Sequence, residues 1–268
     1  MIKSGEIQKI AHEQGVRDTQ IEKDYVLGWI LKGISQNPYL KEYLIFKGGT
    51  VLKKVWFTDY RFSEDMDFTF LGDDWSKSKI ESKFQSVCEW IYEESRIKIN
   101  ISSEEGSADQ YRGYLSYQGP LGGSKDIKLD ISTNELIYYA IEERIVLDDY
   151  SDKEQDYRIK VYCLEESLAE KLRCVLQRSI PRDIYDIWYL TEEAGIDIEE
   201  VAFGFAEKSK HKEKDPLSLI DTFHKKEKKY KANWETSLDH QIKNLPDFDG
   251  VWRGLLAEAK KLIALLKS

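Results

Sequence analysis

Cysteine and histidine are scarce in this chain of 268 residues, and their scarcity argues against several kinds of site. The three cysteines, Cys88, Cys163 and Cys174, are scattered and odd in number, so neither a disulfide framework nor a thiolate zinc site is indicated. This usage predicts a protein of the reducing cytoplasm. The four histidines lack metal-ligand spacing, and no serine–histidine–aspartate or cysteine–histidine set is suggested.

Long hydrophobic runs and an excess of positive charge are also missing. No window approaches the ~20 apolar residues of a membrane-spanning helix, and residues 1–16 lack the apolar core of a signal peptide. We therefore expect no membrane association. The formal net charge of -9 argues against indiscriminate binding to nucleic acid, although a local basic patch is still compatible with RNA binding.

A glycine turn opens the most informative segment of the chain. Gly48 and Gly49 permit positive φ and a close approach of the backbone to a ligand. Thr50 is expected to cap the following helix, whose free N–H groups would bind a triphosphate. The simpler alternative is a plain glycine turn followed by a capping threonine.

Two acids separated by one residue follow this turn. On a strand, Asp65 and Asp67 point the same way, and Met66, Phe68 and Phe70 point into a core. Adjacent carboxylates repel each other unless a cation lies between them, and oxygen ligands of this kind suit Mg²⁺ bound together with substrate phosphates. The alternative is a solvated acidic strand edge. We favour a nucleotidyl-transfer site that uses an NTP and one or two Mg²⁺ ions.

Other charged residues are weaker candidates. Asp130, on the polar face of a predicted strand, is either a third metal-binding carboxylate, a base for the acceptor hydroxyl or an exposed acid. Lys171, at the edge of an apolar helical stripe, either reaches solvent or points into a cleft. Asp183 is a candidate helix cap, whereas Asp186 is expected to orient Lys171 or Arg182, or to bind substrate.

Hydrophobic periodicity predicts an α+β fold, with a mixed β-sheet and flanking helices followed by a C-terminal helical bundle. Predicted strands cover residues 44–46, 66–71, 97–101, 110–117, 126–133 and 157–162. Predicted helices cover residues 20–35, 76–95, 164–178, 182–194, 198–208, 217–228, 231–244 and 248–267. The shift in composition places the domain boundary at residue 163.

A basic zone interrupts the otherwise acidic second half. Its lysines are Lys208, Lys210, Lys212, Lys214, Lys225, Lys226, Lys228, Lys229 and Lys231. An RNA backbone could dock there, with Tyr230 and Trp234 available to stack on bases. The alternative is a solvated helix face, because acids are interleaved with these lysines.

Several blocks in a fixed order carry a family resemblance across roughly residues 20–195. They are Phe46-Lys47-Gly48-Gly49-Thr50-Val51-Leu52-Lys53, Arg61-Phe62-Ser63-Glu64-Asp65-Met66-Asp67-Phe68, Ile127-Lys128-Leu129-Asp130-Ile131, Leu168-Ala169-Glu170-Lys171-Leu172 and Pro181-Arg182-Asp183-Ile184-Tyr185-Asp186-Ile187-Trp188-Tyr189-Leu190. The set resembles the AbiEii toxin family of the DNA polymerase beta-like nucleotidyltransferase superfamily. The gap between Thr50 and Asp65 is longer than in many superfamily members.

The resemblance implies a nucleotidyltransferase domain over residues 1–163 and an α-helical domain over residues 164–268 that contributes to the active-site cleft. It implies that metals bind to Asp65, Asp67 and Asp130, with Lys171 and Asp186 also in the catalytic set. The implied nucleotide-binding set is Gly48, Gly49, Thr50, Lys53, Ser63 and Asp183, with Lys171 contacting phosphates.

The same resemblance implies a biological role as the toxin of a type IV toxin–antitoxin or phage-defence (abortive infection) pair. A separately encoded antitoxin, often a winged-helix repressor, and a tRNA 3′ end as acceptor belong to this expectation. Two alternatives stay open. One is a small-molecule nucleotidyltransferase of the aminoglycoside-modifying type, and the other is a non-catalytic nucleotide-binding protein that retains the fold.

Overall fold

Contacts within the chain divide it into two compact units. The computed structural model describes residues 1–104, 107–153 and 156–268. The first unit comprises Met1–Asn134 and Ile141–Val161, and the second comprises Glu135–Ala140 and Tyr162–Ser268. The chain therefore enters the second unit briefly, over Glu135–Ala140, before it returns to the first, an excursion that the composition shift near residue 163 does not predict.

Seven strands of the described residues form one mixed sheet. They are β1 (Leu44–Lys47), β2 (Met66–Phe70), β3 (Lys98–Ser103), β4 (Gln110–Gln118), β5 (Lys125–Ser132), β6 (Ile141–Ile145) and β7 (Arg158–Tyr162). The order across the sheet is β3-β4-β5-β2-β1-β7-β6. Strand β2 lies at the centre, antiparallel to β1 and parallel to β5. The predicted α+β class with a mixed sheet is confirmed.

The central strands form because every second residue is apolar. The apolar side chains buried at 2% exposure or less are Met66, Phe68 and Phe70 on β2 and Ile127, Leu129 and Ile131 on β5. This alternation buries one face of each strand and leaves polar residues on the other. Strand β6 was not predicted, because Ile141–Ile145 is a polar edge strand with no buried residue.

Helices of the first unit pack around this sheet. They are α1 (Ser4–Gln14), α2 (Asp18–Gln36), α3 (Pro38–Tyr43), α4 (Gly48–Val51) and α5 (Lys77–Ser95). The π-helical turn Leu52–Trp56 continues α4. Helix α1, which the sequence did not predict, is anchored by only two buried side chains, Ile7 and Ala11. Helix α4 starts at Gly48, so the prediction that Thr50 caps it is wrong.

The second unit is helical, as the periodicity predicted. Its helices are α6 (Leu164–Gln177), α7 (Pro181–Trp188), α8 (Ala202–His211), α9 (Leu219–Ala232), α10 (Trp234–Leu238) and α11 (Phe248–Lys267), with a π-helical turn at Tyr189–Glu193. The predicted helix over residues 231–244 is wrong in extent, because Asn233 ends α9 and α10 stops after Leu238. Within the described ranges, no helix is long and apolar enough to cross a bilayer.

A buried carboxylate holds the excursion Glu135–Ala140 within the second unit. Glu166 accepts hydrogen bonds from the backbone N–H groups of Tyr138 (3.0 Å) and Tyr139 (2.9 Å). The Lys208 ammonium donates to the carbonyl of Leu136 at 2.6 Å and forms an ion pair with Glu166. These contacts satisfy charged groups that would otherwise be buried without partners.

Candidate active site

Close packing explains both glycines of the turn between β1 and α4. Gly48 has a φ of +85°, and a β-carbon there would lie 2.5 Å from Oδ2 of Asp67. A β-carbon at Gly49 would lie 2.3 Å from a guanidinium nitrogen of Arg61. Both distances are far below van der Waals contact, so any larger residue would displace Asp67 or Arg61. The turn thus brings backbone directly against one of the predicted metal-binding acids.

Two buried hydroxyls link the start of α4 to the segment that carries the acids. The Thr50 hydroxyl donates to the backbone carbonyl of Asp65 and lies 2.9 Å from the Ser63 hydroxyl. Thr50 is 2% exposed and Ser63 is 5% exposed. In this structure both side chains position Asp65, and their predicted contacts with phosphate stay predictions.

Sheet register places two of the predicted acids side by side. Asp67 on β2 is the direct partner of Asp130 on the parallel neighbour β5. Asp65 immediately precedes β2. All three acids are partly exposed, whereas the apolar residues next to them on the strands are buried. Parallel neighbours at the same register have side chains on the same face of the sheet. The sheet therefore brings Asp67 and Asp130 together, beside the turn at Gly48.

Asp130 already has protein partners. Gln110 donates to its Oδ1 at 2.5 Å, and Arg112 and Lys128 lie 3.5 and 3.9 Å from its Oδ2. Arg112 and Lys128 are about half exposed, so these ion pairs are screened by solvent.

The predicted metal ligands of the first unit are all carboxylates. Across the described residues, no group of three or more histidine, cysteine, aspartate or glutamate side chains is arranged to hold a metal ion. Mg²⁺ usually binds to one or two carboxylates together with waters and substrate phosphates. Asp65 and Asp67 would supply those carboxylates, and a role of Asp130 as third ligand stays a prediction.

Lys53 lies in the π-helical turn after α4, beside a cavity of about 280 Å³ in the first unit. Its ammonium donates to the carbonyl of Thr58 at 2.5 Å and lies 4.6 Å from the centre of the Phe62 ring. Burial lowers the pKa of Lys53 below its usual value. The cavity is acidic, with carboxylates from Glu13, Asp24, Asp59, Asp148 and Asp149 in its lining.

The second unit brings Lys171, Asp183 and Asp186 together. The Lys171 ammonium lies 3.0 Å from Oδ1 of Asp183 and 2.8 Å from Oδ2 of Asp186. Arg178 adds two hydrogen bonds to Asp183, at 2.7 and 2.9 Å. Burial alone would raise the pKa of Asp183, but the charges of Lys171 and Arg178 outweigh it and lower that pKa. Asp183 is thus a buried ion-pair partner as well as a first-turn residue of α7.

A sequence comparison decides the family. The family model described as nucleotidyl transferase AbiEii toxin, type IV TA system, matches residues 29–254. The chain belongs to this AbiEii family. It is accordingly a nucleotidyltransferase toxin, and family membership supports catalysis over the non-catalytic alternative.

Solved structures share the fold of this AbiEii-family chain. MenT4, a nucleotidyltransferase toxin from Mycobacterium tuberculosis, is 17% identical with a TM-score of 0.68, covering 100% of this chain and 90% of its own. JHP933 from Helicobacter pylori is 17% identical with a TM-score of 0.60, and the match covers 94% of this chain and 95% of that one. A putative nucleotidyltransferase from H. pylori is 17% identical with a TM-score of 0.58, and the match covers 94% of this chain and 98% of that one. No curated protein sequence matches the chain.

The basic zone of this AbiEii-family toxin is smaller than its sequence suggested. Lys208 is 1% exposed and forms ion pairs with Glu166 and Glu170, so its assignment to an RNA-binding surface is wrong. Tyr230 and Trp234 are 0% and 3% exposed, so the expectation that they stack on bases is wrong as well. Their rings fill the core of the second unit. Exposed lysines of the zone are Lys210, Lys214, Lys225, Lys228, Lys229 and Lys231.

Sequence reasoning missed several charged residues of the AbiEii fold that contact the site-bearing segments. Arg61 packs behind Gly49 and is 3% exposed, and Lys54 is 2% exposed. Glu22, Lys23 and Asp24 are consecutive in the largely buried helix α2. That uninterrupted run of three charges in a buried helix is a signal the sequence offered, because buried charges need partners.

Proposed function

We propose that this toxin is a Mg²⁺-dependent nucleotidyltransferase that transfers NMP from an NTP to RNA, with a tRNA 3′ end as acceptor. The observation that carries the proposal is the register pairing of Asp67 with Asp130 beside the close-packed turn at Gly48. A pair of partly exposed acids, one of which packs against backbone that only glycine permits, is suited to a phosphate-bearing ligand and its cation. The acceptor is inferred from the family resemblance.

In the proposed reaction, the acceptor hydroxyl oxygen attacks the α-phosphorus, and the bond from that phosphorus to the pyrophosphate oxygen breaks. Asp65 and Asp67 would hold Mg²⁺, which neutralises charge on the phosphates when bound. Asp130 would take the hydroxyl proton or serve as a third ligand. Gly49, the start of α4 and Ser63 would position the triphosphate.

The biological proposal follows the family. We propose that the toxin acts in the cytoplasm, in a type IV toxin–antitoxin pair that restricts phage, with a separately encoded winged-helix antitoxin. Exposed lysines such as Lys225, Lys228 and Lys229 would contact an RNA backbone. Since the aromatic side chains of the zone are buried, this surface would bind phosphates without stacking on bases.

A second candidate acceptor is a small cationic molecule, as in aminoglycoside-type nucleotidyltransferases. The observation that favours it is the acidic cavity of about 280 Å³ beside Lys53. Its charged lining is dominated by acids, while Ile10, Ile21 and Leu147 add apolar walls. A basic small molecule would match this combination of charge and shape.

Label transfer tests both candidates. Purified protein would be incubated with Mg²⁺, each α-labelled NTP in turn, and either total RNA or an aminoglycoside, beside the double variant Asp65→Ala/Asp67→Ala. We expect label in a tRNA-sized band that disappears in the double variant. Label on the aminoglycoside alone would favour the second candidate. A signal unchanged in the double variant would contradict the assigned metal site.

A further inference from the structure

Three consecutive charged residues of α2 reach three different segments of the first unit. Glu22 is 0% exposed and Asp24 is 6% exposed, while the side chain of Lys23 is 19% exposed. Successive side chains of a helix differ by about 100° in direction, so three consecutive residues can contact three different segments. Each of these side chains has a charged partner outside α2.

Glu22 contacts the loop that leads into β5. Its carboxylate accepts a hydrogen bond from the backbone N–H of Leu121 at 2.6 Å and forms an ion pair with Lys125, the first residue of β5. A β-carbon at Gly119 would lie 2.7 Å from Oε1 of Glu22, so this carboxylate fits closely against the loop. Glu22 therefore holds the start of the strand that carries Asp130.

Lys23 contacts the segment that carries the first acid. Its ammonium lies 3.1 Å from Oε2 of Glu64, and Glu64 immediately precedes Asp65. The Glu64 side chain is 31% exposed, so the pair is partly shielded from solvent. Asp65 is therefore held from two sides, through Glu64 by Lys23 and through its own carbonyl by Thr50.

Asp24 contacts the turn that follows α4. Its Oδ2 lies 3.0 Å from the ammonium of Lys54 and accepts a hydrogen bond from the hydroxyl of Tyr150 at 2.9 Å. Lys54 also lies 3.3 Å from Oδ1 of Asp148, and its carbonyl accepts the backbone N–H of Leu147 at 2.6 Å. Burial opposes ionisation of Asp24, but the charge of Lys54 lowers its pKa, so the pair is ionised.

We propose that Glu22, Lys23 and Asp24 are positioning residues. They hold three segments in their relative places: strand β5 with Asp130, the segment with Asp65, and helix α4 together with the π-helical turn that continues it. The inference rests on the proposed site, because it assigns these residues a role through the acids and the turn. Each of the three pairs links α2 to a segment far away in the chain. Local geometry alone would not bring those segments together.

The Lys23–Glu64 pair gives the cleanest test because it is the most exposed of the three. The variant Lys23→Met would be compared with wild type for NMP transfer, NTP binding, thermal midpoint and amide hydrogen exchange at residues 64–66. We expect faster exchange there and a fall in kcat of about ten- to a hundred-fold, with the thermal midpoint unchanged. The charge-exchanged double variant Lys23→Glu/Glu64→Lys should recover most of the loss.

Matched controls separate positioning from general destabilisation. Lys41→Met removes another lysine pair of the same unit, with Glu143 at 3.6 Å, in which both side chains are about half exposed. This control should change neither exchange nor transfer. Equal losses in Lys41→Met, or unchanged transfer in Lys23→Met, would overturn the proposal. Asp24→Asn, which preserves shape, should increase amide exchange at residues 48–51, and unchanged exchange there would also overturn it.

The exchange measurement does not depend on catalysis. If wild type transfers no nucleotide to any acceptor, the proposed function fails, while altered NTP binding and exchange in Lys23→Met would still support positioning. In contrast, Asp65→Ala should abolish transfer and leave exchange at residues 48–51 unchanged. The two proposals therefore fail in different measurements.

Discussion

Acids in the two units have contrasting surroundings. Asp65 and Asp67 in the first unit are partly exposed and lie near the glycine turn at Gly48 and Gly49. Asp183 and Asp186 in the second are 1% and 0% exposed, and both contact Lys171. A buried carboxylate is stable only when a cation or hydrogen-bond donors compensate its charge. The charges of the acids of the second unit are therefore compensated by cations inside that unit, whereas those of the first can reach a ligand.

This contrast teaches that spacing alone does not identify a binding acid. Asp65 and Asp67 are two residues apart before and on a strand, and Asp183 and Asp186 are three apart on a helix, so each pair shares a face. Both patterns are compatible with ligand binding. The two pairs of acids differ in the exposed fraction of their side chains and in the presence of a cation within the unit. Neither property is visible in a short stretch of sequence.

The largest expected effect is on activity, from Asp67→Asn. We expect NMP transfer to fall about a thousand-fold, because about 4 kcal/mol of transition-state stabilisation depends on charge neutralisation at this site. The thermal midpoint should stay within a degree or so of wild type, since the substitution keeps the shape that fits against Gly48. Initial rates and a circular-dichroism melt provide the measurement.

Asp126→Asn is the matched control for that substitution. Asp126 is an exposed acid on β5 that accepts a hydrogen bond from the Ser116 hydroxyl at 2.5 Å. Its replacement should leave transfer unchanged. A comparable loss in both variants would show that general negative charge on the sheet, rather than a specific ligand, is required.

The next effect is on stability, from Asp183→Asn. Removing this charge leaves the buried Lys171 with one fewer counter-ion, and we expect the free energy of unfolding to fall by about 3 kcal/mol. Urea titration would measure the loss. The exposed Asp239 of the same unit supplies the control, because Asp239→Asn should change the free energy of unfolding by no more than about 0.5 kcal/mol. A stable Asp183→Asn variant without activity would instead indicate a ligand-binding role.

The smallest effect concerns acid stability. Asp24 in the first unit and Asp183 in the second have pKa values lowered from 3.8. The unfolded chain therefore takes up these protons first as the pH falls, and the stability that the ionised pairs contribute is lost from roughly pH 5 downward. Urea titrations across that range should show the decline. Asp183→Asn should flatten the decline, and an identical slope in both proteins would contradict this assignment.

Local patterns were sufficient for the centre of the sheet. The apolar alternation of Met66, Phe68 and Phe70 predicted β2 correctly, because a strand buried on one face has a period of two in its own sequence. The same reasoning placed Asp130 on the opposite face of β5 from Leu129. What the sequence could not provide is the register that pairs Asp130 with Asp67, since this depends on which strands become neighbours.

Two other predictions were wrong because of contacts between residues that are far apart in the sequence. Thr50 was expected to cap a helix, but α4 already begins at Gly48, and the Thr50 hydroxyl donates to the carbonyl of Asp65, fifteen residues away. Lys208 was expected on the surface, but Glu166 and Glu170 of another helix bury it. In both cases a partner far along the chain outweighed the local tendency of the residue.

The excursion Glu135–Ala140 constrains how the toxin can be divided into fragments. A fragment of residues 162–268 would lack the backbone amides of Tyr138 and Tyr139 that solvate Glu166, and the Leu136 carbonyl that accepts from Lys208. Its interior would then contain charged groups with unmet hydrogen-bonding needs. A split-protein design for this toxin therefore has to supply residues 135–140 with the helical fragment, as a fused segment or an added peptide.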